Sequence, residues 1–389
     1  MTNKKLNVAN VPNLRFPGFE GEWETRKLGE MAEKVNSGKT PLGGESVYIN
    51  EGILFIRSQN VNNDKLELQN SVFISESINN VMKNSVVRSN DILLNITGAS
   101  LGRSCVVPED FKIGNVNQHV CIIRLNKKYN PRFLQPIFSS IKGQIIFNNL
   151  QTGSGREGLN FESIKSIKLS IPGSKEQKKI ASFLSILDER ISTQNKIIEE
   201  LETLIKGLCQ KIFELDLFQF SVLPLKLLCV IKKGQQINAS ELSKKGLYYV
   251  MNGGILPSGY HSEYNSDAET ISISEGGNSC GYIQYNYYKF WSGGHCYTLN
   301  KINKKIKSKY LYYYLKANEN KIMALRVGSG LPNIQKSALE KFEVKIPNLY
   351  IQDKVILALD SLSNKFFVEN KLLRGYQQQK NYLLQNLFI

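Results

Sequence analysis

Two glycine-bounded stretches, Gly98–Gly102 (GASLG) and Gly277–Gly281 (GNSCG), fit the G-x-S-x-G pattern that holds a serine nucleophile on a sharp turn after a strand. Such a nucleophile needs a histidine base and an acid to orient it. The histidines are His119, His261 and His295, so Ser100 would work with His119 and Ser279 with His295, and no acid recurs beside both pairs. Glycine turns next to strands explain the repetition without catalysis. Ser37–Thr40 (SGKT) has the ending of a phosphate-binding loop, but Glu33 stands where that loop needs its first glycine. Cys105 and Cys121 lie 16 residues apart, as do Cys280 and Cys296, with a histidine close before the second member of each pair. Zinc would want a fourth ligand in each copy, and none recurs. With Cys209 and Cys229, these residues read as reduced, partly buried thiols. Glu343–Lys345 (EVK) imitates part of a nuclease motif but lacks a preceding aspartate, and the matching stretch reads KLS. There is no glycine loop for S-adenosylmethionine, no adenine-methylation signature and no helicase P-loop. The chain is therefore expected to have no catalytic residue, no metal and no cofactor of its own.

Charge narrows the partner. Lysine and arginine outnumber aspartate and glutamate 50 to 34, a net charge of +16 with a pI near 9.4. That excess favours a polyanion, most often nucleic acid. The run Lys301–Lys309 (KINKKIKSK) suits phosphate tracking or a solvated loop equally, whereas the aromatic stretch Tyr282–Trp291 reads as core and strand packing rather than a base-stacking platform. No apolar signal core and no stretch near the ~20 apolar residues of a membrane span are present, so a soluble cytoplasmic protein is expected.

These residues sit on a duplicated scaffold. Gly153–Pro172 (GSGREGLNFESIKSIKLSIP) returns as Gly328–Pro347 (GSGLPNIQKSALEKFEVKIP) at an offset of 175, and the register continues without a gap: Gln177 falls on Gln352, Leu184 on Leu359 and Phe213 on Phe388. Within the copies, apolar residues alternate at spacings of four and three. The first stripe holds Ile180, Leu184, Leu187, Ile191, Ile198 and Leu201; the second holds Val355, Leu359, Leu362, Phe366, Leu373 and Tyr376. This heptad pattern specifies a coiled-coil seam, and each copy is the nearest partner for the other. Gln194 and Glu369 interrupt both stripes at one place, either to fix register or as an ordinary seam defect. Upstream, Gly52–Asn60 matches Gly246–Gly254 and Gln118–Asn126 matches Gly293–Asn300, with some fifteen or more residues absent from the second copy between them. The two G-x-S-x-G turns align at 179 or at 175, and both alignments stay open.

Short strands broken by Gly/Asn/Ser turns, with a few helices, make the upstream regions mixed α/β. The fold class expected is α/β (mixed α+β), with the order domain, helix, domain, helix. Boundaries fall at 1–22 (N-terminal segment), 23–172 (first domain), 173–217 (first long helix), 218–347 (second domain) and 348–389 (second long helix). If the ends of the second domain lie close together, the helices run antiparallel with a pseudo-twofold axis between the domains. Two similar heads on a rigid spacer suit a split site on double-stranded DNA.

The segments VPNLRFPGFEGEWETRKLGE, DILLNITGASLG, the Gly-Ser-Gly turns, IPGSKEQKKIASFLSILDERI and GYIQYNYYKFWSGGHCYTL together resemble the specificity subunit of type I restriction-modification systems over almost the whole chain. One departure is Ile351, where the first copy has Glu176. The resemblance implies a non-catalytic subunit whose two target-recognition domains each read half of a split DNA sequence, while its helices set the spacing and dock two modification subunits. It also implies restriction subunits in the same complex, and partners that use S-adenosylmethionine, ATP and Mg. Base contacts are expected from polar residues at turns near strand ends. In the first domain these are Arg57, Gln59, Asn60, Thr97, Ser100, Arg103 and Arg156; in the second, Asn252, His261, Asn278, Ser279 and Ser329. The other function considered is a stand-alone DNA-binding regulator or scaffold.

Overall fold

The structure is a computed structural model that describes residues 10–62, 64–151, 158–214, 218–328, 330 and 332–389. The chain divides into two compact units, one of residues up to 193 with 372–389 and the other of residues 194–371.

In the first unit a four-stranded antiparallel sheet runs in the order Ala32–Ser37, Val120–Leu125, Ile92–Asn95, Ser104–Val106. Its inner strand reads ILLN and is buried at every residue, as expected for a strand covered on both faces. A second sheet, Val72–Ile74, Ile53–Ile56, Gly114–Val116, Val86–Val87, contains one parallel pair, between Ile53–Ile56 and Gly114–Val116. The second unit repeats the first sheet with Val230–Lys233, Cys296–Asn300, Thr270–Ser274 and Ile283–Asn286. Its second sheet has three strands, Gly259–His261, Tyr248–Met251 and Trp291–Ser292. The counterpart of Val86–Val87 is missing there, and the helix Glu76–Val81 has no match between His261 and Thr270. Those losses account for part of the shortfall between the two copies.

Each unit closes with an antiparallel strand pair that leads into a long helix. Glu24–Lys27 pairs with Lys168–Ile171, and Phe220–Pro224 pairs with Glu343–Pro347. The long helices span Ser174–Glu214 and Leu349–Asn386. A buried glutamine fastens the start of each. Gln177 accepts from Asn130 N (3.0 Å) and donates to Pro172 O (2.9 Å); Gln352 accepts from Lys307 N (2.8 Å) and donates to Lys305 O and Pro347 O (2.9 Å each). Glu176, beside the first pin, takes a bidentate pair from Arg15 at 2.8 Å per bond. Arg15 comes from the segment that precedes the first strand, and Ile351 packs against the second core instead. The glutamate therefore serves the N-terminal segment and is not part of the repeated pin.

The helices contribute to the cores at their ends. In the first unit Ile180, Leu184 and Leu187 share a core with Leu383, Leu387 and Phe388, and in the second Val355 and Leu359 share one with Phe213. Phe388 meets the Phe133 ring edge-on at 5.4 Å, and Phe213 meets Tyr310 and Tyr314 at 5.8 and 5.5 Å. Each fully buried side chain of this size is worth about 1.5–3 kcal/mol. Ile198 and Leu201 are also buried, while Ile191, Leu362, Phe366, Leu373 and Tyr376 are half-buried. The interruption at Gln194 and Glu369 is a direct contact: Gln194 Nε2 donates to Glu369 Oε2 (2.7 Å) and to its backbone oxygen (3.1 Å). Among the described residues no helix is long and apolar enough to cross a membrane.

Candidate nucleic-acid interface

The four-stranded sheet of each unit ends in the same glycine turn. In the first unit Leu101 N donates to Gly98 O and Gly102 N to Asn95 O, both at 2.9 Å; in the second Cys280 N donates to Gly277 O (3.1 Å) and Gly281 N to Ser274 O (2.9 Å). Gly98 and Gly277 have φ of 71° and 76°, Gly102 and Gly281 of 85° and 89°. A side chain at any of these would be strained, which is why the glycines recur. The matched bonds settle the alignment at an offset of 179. Ser279 thus stands where Ser100 does, Asn278 replaces Ala99, and Gly276 replaces Thr97. Cys280 falls on Leu101 and Cys105 on Gln284, so the equal cysteine spacings are coincidental. Burial pushes the Cys121 thiol up to about 12 and the Cys296 thiol up to about 11, which keeps both protonated and inert.

The histidines do correspond. Ile96 N donates to His119 O (3.0 Å), and Glu275 N donates to His295 O (2.9 Å). Each histidine therefore begins the return strand next to the turn. In the first unit Ser58, Gln59, Thr97, Gly98, Ala99, Ser100, Arg103 and His119 line an open cleft of about 420 Å³. Of the residues expected to meet bases, Gln59, Thr97, Ser100 and Arg103 converge here; Arg103 Nη1 also donates to Asn62 Oδ1 (3.2 Å). His119, Gln118 and Thr40 were not foreseen. His119 Nδ1 lies 2.6 Å from Thr97 Oγ1, its Nε2 lies 3.1 Å from Gln118 Nε2, and Gln118 Oε1 accepts from the Thr40 hydroxyl. The histidine thus engages Thr97 in place of Ser100, which removes the hydrolase arrangement. The repeat of a histidine at the head of matched strands was the available signal for its place.

Around the second turn the chemistry differs. Glu275 accepts from Lys233 Nζ (2.7 Å) and the Tyr297 hydroxyl (2.9 Å), and His295 Nδ1 lies 3.9 Å from its other oxygen. Burial and then the Glu275 carboxylate push the Tyr297 hydroxyl up, so it remains a donor. Asn278 is exposed and Ser279 half-buried on this turn.

Other residues expected to meet bases make contacts within the protein. Asn60 is buried; it accepts from Arg57 N (3.0 Å) and donates to Glu67 O (2.8 Å), so its amide is spent on its own turn. Arg57 lies over the Tyr48 ring, 5.8 Å from the centroid, and donates to Asn70 O (3.3 Å). Asn252 Oδ1 accepts from His295 N (3.1 Å) and holds that loop. His261 is on the edge strand Gly259–His261, with its ring 4.8 Å from Trp291, away from the glycine turn. Arg156 and Ser329 lie outside the described residues. The Lys301–Lys309 run is partly fixed, since Lys307 pairs with Asp353 and Lys309 with Asp360. Within Tyr282–Trp291, Tyr285 and Phe290 are buried, while Tyr287 and Tyr288 are exposed. A larger groove of about 980 Å³ opens at the other end of strands Ile92–Asn95 and Val120–Leu125, lined by Arg26, Arg88, Arg124, Lys127, Lys128 and Lys178 among others. Arg124 there is neutralised by buried Asp91 at 2.7 Å.

Residues 20–203 and 219–374 match the family model described as the type I restriction modification DNA specificity domain. The type I restriction enzyme MjaVIII specificity subunit of Methanocaldococcus jannaschii is 23% identical over 430 aligned positions, covering 99% of this chain and 95% of the relative. The type I restriction enzyme EcoBI specificity subunit of Escherichia coli is 28% identical over 176 positions, 43% of this chain and 36% of the relative. Among solved structures, the type I restriction-modification system S subunit from M. genitalium superposes with a TM-score of 0.72 at 20% identity, covering 97% of this chain and 99% of that one. At that identity the superposition speaks for the fold.

Proposed function

We propose, from the premise that this chain belongs to the type I restriction modification DNA specificity family, that each unit reads one half of a split DNA target with the side chains around its glycine turn. The chain is the DNA-recognition subunit of a type I restriction-modification complex and is not itself the enzyme; membership of the family disfavours a stand-alone regulator or scaffold. The observation that carries the half-site reading is the paired turn: one backbone geometry, held by matching bonds, presents different polar groups in the two units. A fixed backbone with exchanged side chains is what two different half-sites require, because phosphate contacts position a reader while base-edge contacts specify the sequence.

In this reading Gln59, Thr97, Ser100 and Arg103 face the first half-site, and Asn278, Ser279 and the Glu275 group face the second. The long helices set the spacing between the half-sites and dock two modification subunits. Exposed Leu357, Phe367 and Val368 on the second helix suit such docking, since a solvated helix face has little other use for them. The modification subunits would supply S-adenosylmethionine-dependent adenine methylation, and the restriction subunits ATP- and Mg-dependent translocation and cleavage, all in the cytoplasm.

Adenine-methylation mapping tests this reading. Cells expressing the chain with its modification subunit are compared with cells lacking the chain. A split methylated motif should depend on the chain and lose one half only when residues 220–340 are exchanged for those of a relative. Active modification subunit with no chain-dependent mark would overturn it.

A further inference from the structure

We infer that Thr97 is a hydrogen-bond donor that selects a base-edge acceptor in the first half-site, and that His119 is the residue that sets its polarity. The inference rests on the reading of the first cleft as a DNA-reading surface.

Its basis is the direction of one chain of hydrogen bonds. Gln118 accepts the Thr40 hydroxyl at Oε1 and turns Nε2 to His119 Nε2 at 3.1 Å. An amide nitrogen only donates, so His119 Nε2 is the acceptor, and the proton of the neutral ring resides on Nδ1. Nδ1–H therefore donates to Thr97 Oγ1 across 2.6 Å. With one of its two lone pairs occupied by an incoming proton, Thr97 is polarised toward giving its own hydroxyl hydrogen away. The backbone of Thr97 is held as well, by a bridge to Gly158 and by the bond from Ile96 N to His119 O. Thr97 lines the cleft together with Arg103, whose guanidinium has donors and no acceptor. These two residues of the cleft thus offer hydrogens.

In the major groove, guanine N7 and O6, adenine N7 and thymine O4 accept, while cytosine N4 and adenine N6 donate. A hydroxyl already accepting from His119 gives its strongest bond to the former and only its remaining lone pair to the latter. The contact is peculiar to the first unit, because Gly276 occupies the corresponding place in the second. His119 touches no base in this scheme; it is a positioning residue.

The test is selection from a randomised duplex DNA pool by the full chain in complex with its modification subunits, followed by sequencing of the bound duplexes. The wild type should enrich a split motif. Thr97→Val, which keeps the shape and removes the hydroxyl, should relax one base pair of one half by about 10-fold and leave the other half sharp. Thr97→Ser should retain the preference. His119→Leu should relax the same base pair as Thr97→Val, whereas His119→Asn, whose amide nitrogen takes the place of Nδ1, should restore it. If the wild type enriches a split motif and neither Thr97→Val nor His119→Leu alters any position, or both halves blur together, the inference falls while the half-site reading stands. If an active wild-type complex enriches no split motif, the reading beneath it falls and takes the inference with it.

Discussion

At the same turn of the same sheet, the first unit carries threonine, histidine, glutamine and threonine joined in one relay, and the second carries glycine, an exposed histidine and a carboxylate shared by a lysine and a tyrosine. The backbone bonds under them are matched one for one. At this turn divergence is thus confined to side chains that the backbone geometry does not need. The same separation holds at the helix starts, where Gln177 and Gln352 make the same pin while Glu176 and Ile351 answer to different surroundings. The two units keep the backbone bonds that set position and vary the side chains that those bonds present.

The largest break in the symmetry is predicted at Lys380, the next heptad place after Tyr376 in the second stripe, where the first copy has Ile205. Lys380 Nζ bridges Asp64 (2.9 Å) and Asp188 (2.7 Å), and Asp64 also accepts from Gln135 (3.0 Å) and from the Ser139 hydroxyl. Lys380→Met should cost the first unit about 2–3 kcal/mol, short of the ~3–5 of a fully buried pair, since half-buried Asp64 loses its cation but keeps Gln135 and Ser139. Burial alone would push the Asp64 carboxyl up; Lys380, Ser139 and Gln135 outweigh it and hold the group below its ordinary value. The folded state therefore binds this proton less readily than the unfolded chain. The stabilisation is present above the ordinary carboxyl range near pH ~4 and is lost as pH falls through the lower folded value. In the methionine variant burial is no longer outweighed by the lysine, so this group's loss of stability in acid should shrink or vanish. Hydrogen exchange across residues 52–126 as a function of pH measures both effects, and an unchanged profile would show that the lysine bridge contributes nothing.

This bridge also marks where the sequence stops being readable. Heptad spacing announces a seam, and residues such as Leu184 and Leu359 are buried as their spacing requires. Spacing is blind to a lysine in a seam slot that is neutralised by Asp64, a residue 316 positions away. The G-x-S-x-G turns were visible as turns, yet their alignment needed hydrogen bonds, because 175 and 179 each match several residues. Gln59, Thr97, Ser100 and Arg103, which stand out in the sequence as polar turn residues near strand ends, line one cleft. The same pattern picks Asn60, whose amide bonds within its own turn, because an asparagine that builds a turn has the same local sequence as one that projects from it. Thr40 and Gln118 were invisible as partners, since their contact spans 78 residues.

A smaller and symmetric effect belongs to the pins. Gln177→Leu strands Asn130 N and Pro172 O, and Gln352→Leu strands Lys307 N, Lys305 O and Pro347 O. Asn130 and Lys307 are half-buried and Lys305 is exposed, so water recovers most of their bonds, and each pin's cost comes chiefly from its buried proline carbonyl, about 1–2 kcal/mol. Urea unfolding should show both substitutions destabilising by a similar amount, with Gln352→Leu slightly the worse. A cost at one pin and none at the other would mean that the two helix starts are alike in geometry but not in energy.

The smallest difference is the one between the two histidines. His119 is half-buried, with both ring nitrogens engaged; the His295 side chain is 63% exposed, with Glu275 at 3.9 Å as its ionic neighbour. His119→Ala removes two bonds and leaves Thr97 and Gln118 to water, at about 1 kcal/mol. His295→Ala alters an exposed group whose neighbour keeps Lys233 and Tyr297, and its effect on stability should stay within about 0.5 kcal/mol. Chemical denaturation of the two variants decides the matter. Equal costs would mean that the relay in the first unit adds no rigidity over an open surface histidine, and that the two turns differ in the groups they present and not in how firmly they hold them.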